Sequence, residues 1–136
     1  MRFIGVSNFS LCELKRAQRA LSKHPIVSNH VRYNLVDRTI EPRLLLYCQK
    51  NRISIFAYSP LGRDSSQLRK MDPDNLLGRL AAELGKCEAQ IALNWCVAKK
   101  GVIAIPKSNA ADRVAENCRA SGWRLPQSTF NSLMPA

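Results

Sequence analysis

An α/β fold built on a parallel sheet is what this sequence predicts, and three observations predict it. Short apolar, β-branched runs alternate four times with amphipathic helical patterns. The runs are nearly continuous, as expected of strands covered on both faces. Polar residues gather just after each run, at Ser7-Asn8, Asn29-His30, Tyr58-Ser59 and Lys107-Ser108. Parallel α/β folds bind ligands at those carboxyl ends. The 136 residues form one domain, 1–136, with one core.

Residues 2–7 make the first strand, in which Gly5 lets a neighbouring group come close. Asn8 and Phe9 turn the chain. Ser10 caps a helix, and Glu13 three residues on completes a capping box. Leu11, Leu14, Ala17 and Leu21 form its buried stripe, with Arg16, Arg19 and Lys23 largely off it. His24-Pro25 ends this helix. Residues 26–31 are the second strand, Tyr33-Asn34-Leu35 opens a loop, and Thr39 caps a helix that runs to Lys50. Residues 53–58 are the third strand, followed by Ser59-Pro60-Leu61-Gly62, and residues 63–73 form a polar connection. Two helices follow, 75–84 stopped by Gly85 and 88–99 with Ile91, Ala92, Trp95 and Cys96 inward. Residues 102–105 are the fourth strand. A helix over 110–119 turns Val114 and Cys118 to one face, Trp123 and Leu125 pack back onto it, and 128–133 make a last helical turn before a frayed tail.

The fourth strand leads into Lys107, Ser108 and, five residues on, Arg113. A helix N-terminus carries free N–H groups and partial positive charge, which favour a phosphate. A lysine adds a point charge, a serine a hydroxyl and an arginine a planar fork. Each charge-assisted bond is worth roughly 1.5–3 kcal/mol net. The same residues also read as a capped helix with solvated charges, and spacing alone leaves both open.

Bulk properties narrow the classes. Net charge is +11, which permits nucleic-acid binding. The basic residues are nevertheless spread singly on outer helix faces, with no stripe interleaved by aromatics, so a polyanionic cofactor is the economical partner. There is no run of 18 apolar residues and no signal-peptide order at the start. Five cysteines form no CxxC pair, which disfavours a disulfide framework or a zinc site and fits the cytoplasm. Cys12, Cys48, Cys96 and Cys118 fall inside helical patterns, where they serve as small packing residues.

Five segments carry a resemblance to a known family: Ile4-Gly5-Val6-Ser7-Asn8-Phe9, Val31-Arg32-Tyr33-Asn34-Leu35, Ala57-Tyr58-Ser59-Pro60-Leu61-Gly62, Ala89-Gln90-Ile91-Ala92-Leu93-Asn94-Trp95 and Ile105-Pro106-Lys107-Ser108. In this order and spacing they resemble the aldo-keto reductases, whose (β/α) barrel uses NADPH, sometimes NADH, to reduce carbonyls. The match is to the second half of that barrel, strands five to eight. The resemblance therefore implies a parallel (β/α) half of a TIM-type barrel with four strand–helix units. It also implies a truncated product, a fragment or one piece of a split protein, since a full barrel takes about 250 residues.

The implied roles concern cofactor binding. Ser7 and Asn8 match the pair that hydrogen-bonds the nicotinamide carboxamide, and Tyr58 the aromatic stacked on that ring. Ser59 and Leu61 match the loop along the pyrophosphate. Lys107, Ser108 and Arg113 match the clamp on the adenosine 2′-phosphate, which favours NADPH over NADH. Glu116 and Asn117 match adenine-side contacts. His30 stands where glutamine is usual beside the carboxamide, and retains a ring nitrogen to donate or accept. Cys87-Glu88 replaces the usual Thr-Pro or Ser-Pro helix opening, a weaker cap. The family's catalytic aspartate, tyrosine, lysine and histidine all come from the other half of the barrel, so no catalytic residue and no metal is expected here. Tyr33, Tyr47, Tyr58 and Lys107 match none of the catalytic positions. The expected partners are a nicotinamide dinucleotide and, through open strand edges, a second copy or a separate N-terminal half.

Overall fold

The computed structural model describes residues 2–62, 72 and 74–133. Four strands, β1 (Ile4–Ser7), β2 (Ile26–Arg32), β3 (Ser54–Tyr58) and β4 (Val102–Ile105), pair in chain order as one parallel sheet. The helices are α1 (Leu11–Ala20), α2 (Leu46–Lys50), α3 (Leu76–Leu84), α4 (Glu88–Val97), α5 (Ala111–Cys118) and α6 (Gln127–Ser132). Residues 63–71 and 73 of the expected polar connection lie outside the described residues, as does the tail from 134.

Local chemistry sets most of these elements. The Ser10–Glu13 capping box forms, with Ser10 N–H donating to Glu13 Oε2 at 2.8 Å. Its bonds hold the Glu13 carboxyl below its ordinary value. Gly85 ends α3 in the left-handed region at φ +60°. Gly5 is used as its sequence context predicts: a Cβ there would lie 2.6 Å from Ser28 Oγ on β2.

The sheet is covered on one face, which corrects the expectation of two. Val6, Asn29, Ile55 and Val102 align across the four strands on the side that meets the helices, with Val31, Ala57 and Ala104 in the next row. The opposite side carries the rows Ser7–His30–Phe56–Ile103 and Arg32–Tyr58–Ile105. There Phe3 is 71%, Ile103 46% and Ile105 42% exposed. Continuous apolar runs signalled two buried faces, but nothing among the described residues packs on the second.

Three further expectations are corrected. Helix α1 ends at Ala20, before His24-Pro25, and Leu21 is exposed. Thr39 caps no helix; its hydroxyl donates to Asp37 Oδ1 at 2.8 Å. The chain instead enters a π-helical stretch, Glu41–Leu45, in which Leu45 N–H donates to Ile40 O at 2.8 Å, before continuing as α2. Pro42 lies in the first turn of this stretch and brings no N–H of its own. Finally, α5 buries none of its residues, so Val114 and Cys118 are exposed. Of the four helical cysteines, Cys48 and Cys96 are core residues, whereas Cys12 and Cys118 are not.

The core centres on α4, buried nearly all round. Trp95 is fully buried, tilted against Tyr33 at 5.5 Å between ring centroids and stacked on Phe130 at 6.2 Å. Arg38 and Lys99 lie over its ring, 5.3 and 5.6 Å from the centroid. Both cations also meet Glu41, at 2.8 and 3.7 Å, and Tyr33 Oη donates to the same carboxylate at 2.6 Å. Burial pushes the Glu41 pKa up, but these donors and charges outweigh it and hold the carboxyl below its ordinary value. Burial and the Glu41 bond together raise the Tyr33 hydroxyl, which stays protonated.

Candidate functional site

The carboxyl ends of β1, β2 and β3 bring Ser7, Asn8, His30 and Tyr58 together. Asn8 leaves β1 in the left-handed region at φ 57°, a conformation asparagine tolerates better than most residues. Its backbone N–H donates to the His30 carbonyl at 2.7 Å, fixing the first turn to the second strand. Tyr58 Oη donates to Asn8 Oδ1 at 2.9 Å across 50 residues of chain, and Asn8 Nδ2 reaches Ser7 Oγ at 3.4 Å. His30 stacks on Phe56 with centroids 4.6 Å apart and planes 16° from parallel. The result is a polar rim of amide, hydroxyl and phenol above an aromatic pair, all on the open face.

Buried asparagines hold this rim from beneath. Asn29, read as part of the polar cluster at this strand end, points into the covered side. It donates from Nδ2 to Phe9 O at 2.9 Å and accepts from Phe9 N–H at 3.3 Å. Asn34 accepts from the N–H groups of Val36 and Asp37 at 2.9 and 2.7 Å and donates to Ser59 O at 2.9 Å. Ser59 itself is held at φ 49°. Pro60 behind it is buried, and Gly62 N–H closes the turn on Ser59 O at 2.9 Å. Leu61 is half-buried, with its side chain packed against the core.

The exit of β4 is differently built. Lys107 and Arg113 are exposed, and neither forms an ion pair with a described residue. The Ser108 hydroxyl accepts from the Ala110 N–H and donates to the Ala110 carbonyl, both at 3.2 Å. No side chain caps α5, so its first-turn N–H groups keep their capacity to bind an anion. Further along α5, Glu116 and Asn117 are half-buried. Glu116 Oε1 accepts from the Cys87 thiol at 2.7 Å, and Gln90 Nε2 donates to the Glu116 carbonyl at 3.0 Å.

Comparison with known proteins decides the family. The profile described as "Aldo/keto reductase family" matches residues 1–134. The chain belongs to the aldo/keto reductase family. A relative from Aspergillus flavus, named "Probable NAD(P)H-dependent D-xylose reductase xyl1", is 31% identical over 97% of this chain and 43% of its own length. The methylglyoxal reductase YeaE of Escherichia coli K12 is 29% identical over 83% of this chain and 40% of its own. Among solved structures, a thermostable aldo-keto reductase crystallised with the inhibitor epalrestat superposes with a TM-score of 0.84 at 37% identity, covering 96% of this chain and 47% of that one. An aldo-keto reductase of Klebsiella pneumoniae in complex with NADPH gives 0.82 at 30% identity, covering 95% and 45%. The chain thus spans less than half the length of the relatives it matches.

As an aldo/keto reductase chain, it supplies four of the eight strand–helix units of a TIM barrel. The open face is then the barrel's inner side, normally opposed by other strands, which explains why helices cover only the outer one. The sequence singled out the rim residues, but not the supporting roles of Asn29, named only in a polar cluster, and of Gln90, present only within a matched segment. Their signal was present: a polar amide inside an otherwise apolar strand or helix needs a buried partner. Among the described residues no helix is long and apolar enough to cross a membrane.

Proposed function

We propose that this chain is the dinucleotide-binding part of an NADPH-dependent carbonyl reductase. The observation that carries the reading is the Tyr58 Oη–Asn8 Oδ1 bond, which holds an amide and an aromatic ring together at the ends of β1 and β3, across the end of β2. The NADPH complex of the Klebsiella neighbour supports the choice of cofactor. The residues fit such a group: Ser7, Asn8 and His30 offer donors and acceptors to a carboxamide, and the Tyr58 ring offers a face for a planar heterocycle. Ser59 and the Leu61 backbone line the path of a pyrophosphate. Lys107, Ser108, Arg113 and the uncapped first turn of α5 receive a 2′-phosphate, with Glu116 and Asn117 at the adenine.

When bound, the dinucleotide supplies a hydride. This chain's residues bind and orient it, fixing which face of the ring meets a carbonyl; the proton donor is not among them. Titrating NADPH and NADH against the purified chain by nucleotide fluorescence tests this. Lys107→Ala and Arg113→Ala should each weaken NADPH about tenfold, consistent with loss of one exposed charge-assisted bond, and NADH by less than about twofold. Equal effects on both nucleotides would remove the phosphate clamp from the reading.

A second reading has its own observation. β1 and β4 each leave one edge unpaired among the described residues, and the inner face exposes Phe3, Ile103 and Ile105. Such edges and faces favour association, so a non-catalytic half-barrel that joins a second copy or a separate N-terminal half is the alternative. Sedimentation velocity decides between them: a compact monomer across a wide concentration range excludes self-association.

A further inference from the structure

Helix α4 opens with a cysteine where a hydroxyl cap was expected to be missed. The cap is built differently rather than lost: Gln90 Oε1 accepts from the Cys87 N–H at 3.2 Å, and the sulfur lies in the capping-box position over the Gln90 N–H. The two residues then reach across to α5. Cys87 Sγ donates to Glu116 Oε1 at 2.7 Å while Gln90 Nε2 donates to the Glu116 carbonyl at 3.0 Å. One residue of α5 is therefore gripped at its backbone and at its side chain by the first turn of α4. This grip matters because α5 buries no residue of its own. Glu116 and Asn117 are its only half-buried residues.

We propose that Cys87 and Gln90 are positioning residues that aim Glu116 at the base of the bound dinucleotide and so set its preference for adenine. The proposal rests on the dinucleotide reading above. A carboxylate can only accept hydrogen bonds. The strong donor that adenine offers is its exocyclic amine, whereas hypoxanthine presents a carbonyl oxygen at the same place, which a carboxylate repels. With Oε1 occupied by the thiol, Oε2 is the oxygen left for that amine. A freely rotating glutamate would discriminate little, since ordering it costs side-chain entropy on binding. The thiol must keep its proton to act as donor. Burial, then the Glu116 bond, raise its pKa above the ordinary thiol value, so it remains a thiol at neutral pH.

Two measurements on the full chain test this. The pH profile of Cys87 alkylation by iodoacetamide, followed by peptide mass spectrometry, reports the contact without any nucleotide. The midpoint should lie above 9.0 in the wild type and move down in Glu116→Gln; an unmoved profile overturns the proposal. Dissociation constants for NADPH and its hypoxanthine analogue then report the preference. Cys87→Ala should reduce the preference for adenine about fivefold, and Cys87→Ser, which keeps a donor, should restore most of it. Equal weakening of both nucleotides in Cys87→Ala would mean a purely structural residue and overturns the proposal. If the wild type binds neither nucleotide while the alkylation profile shifts as expected, the dinucleotide reading fails and takes this inference with it.

Discussion

The two faces of the sheet use the same residue types for different ends. Ile55 on β3 and Ile103 on β4 are both strand isoleucines, one register step apart. Ile55 is fully buried beneath the helices, and Ile103 stands 46% exposed on the inner face. On the covered side the polar groups are buried and satisfied by backbone, as Asn29, Asn34 and Asn94 are. On the open side they sit at the rim with capacity to spare. The covered face makes the fold stable, and the open face holds the residues proposed to bind the dinucleotide. Rigid support under a solvent-facing rim is what a binding site needs.

The sharpest way to break that contrast is to truncate both isoleucines. Ile55→Ala should cost about 2–5 kcal/mol in urea unfolding, the range for an isoleucine lost from a packed core. Ile103→Ala should cost below about 0.5 kcal/mol, as surface changes do. Equal losses would mean the inner face is covered in solution, and a melt that depends on protein concentration would identify a second copy as the cover. Asn34→Ala is next in size, with an expected loss of about 2–3 kcal/mol. It strands the Val36 and Asp37 N–H groups and leaves the Ser59 carbonyl only its bond from Gly62 N–H, and by loosening Ser59 it should weaken nucleotide binding as well. A loss confined to stability would separate the support from the rim.

Acid should act on the covered side through Glu41. The Glu41 carboxyl lies below its ordinary value of 4.5 in the folded chain. Its contribution is therefore fully present above about pH 4.5 and is lost as pH falls through the folded value. Thermal melts from pH 6 to pH 3 should show this limb, and Glu41→Gln should flatten it. The smallest expected effect is at Gly5. Gly5→Ala places a methyl against Ser28 Oγ, a group that can rotate aside, so the cost should be about 1 kcal/mol. Adding Ser28→Ala should recover most of it; failure to recover would locate the strain in the backbone instead.

Much of this was legible in the sequence for local reasons. Ser10 and Glu13, Gly85 and the β-branched runs each specify their conformation within a few residues. The rim residues were legible because they follow strands. Hidden from sequence were relations between distant segments. Thr39 looked like a cap, yet Asp37 took its hydroxyl and the chain entered a π-helical stretch instead. Leu11 to Leu21 kept a helical stripe on paper, yet the helix stopped at Ala20 and exposed Leu21. Asn29 read as part of a polar cluster, but the pleat turned it inward against Phe9.

The sequence by itself determined the parallel α/β order, the helix starts that carry their own caps, and the cationic exit of the fourth strand, because each depends on neighbours along the chain. Only the tertiary structure decided which sheet face is covered, that Tyr58 bonds Asn8, and that Cys87 grips Glu116. Those contacts join residues 29 to 50 positions apart. No local preference encodes such a distance; the packing of helices onto one side of the sheet does.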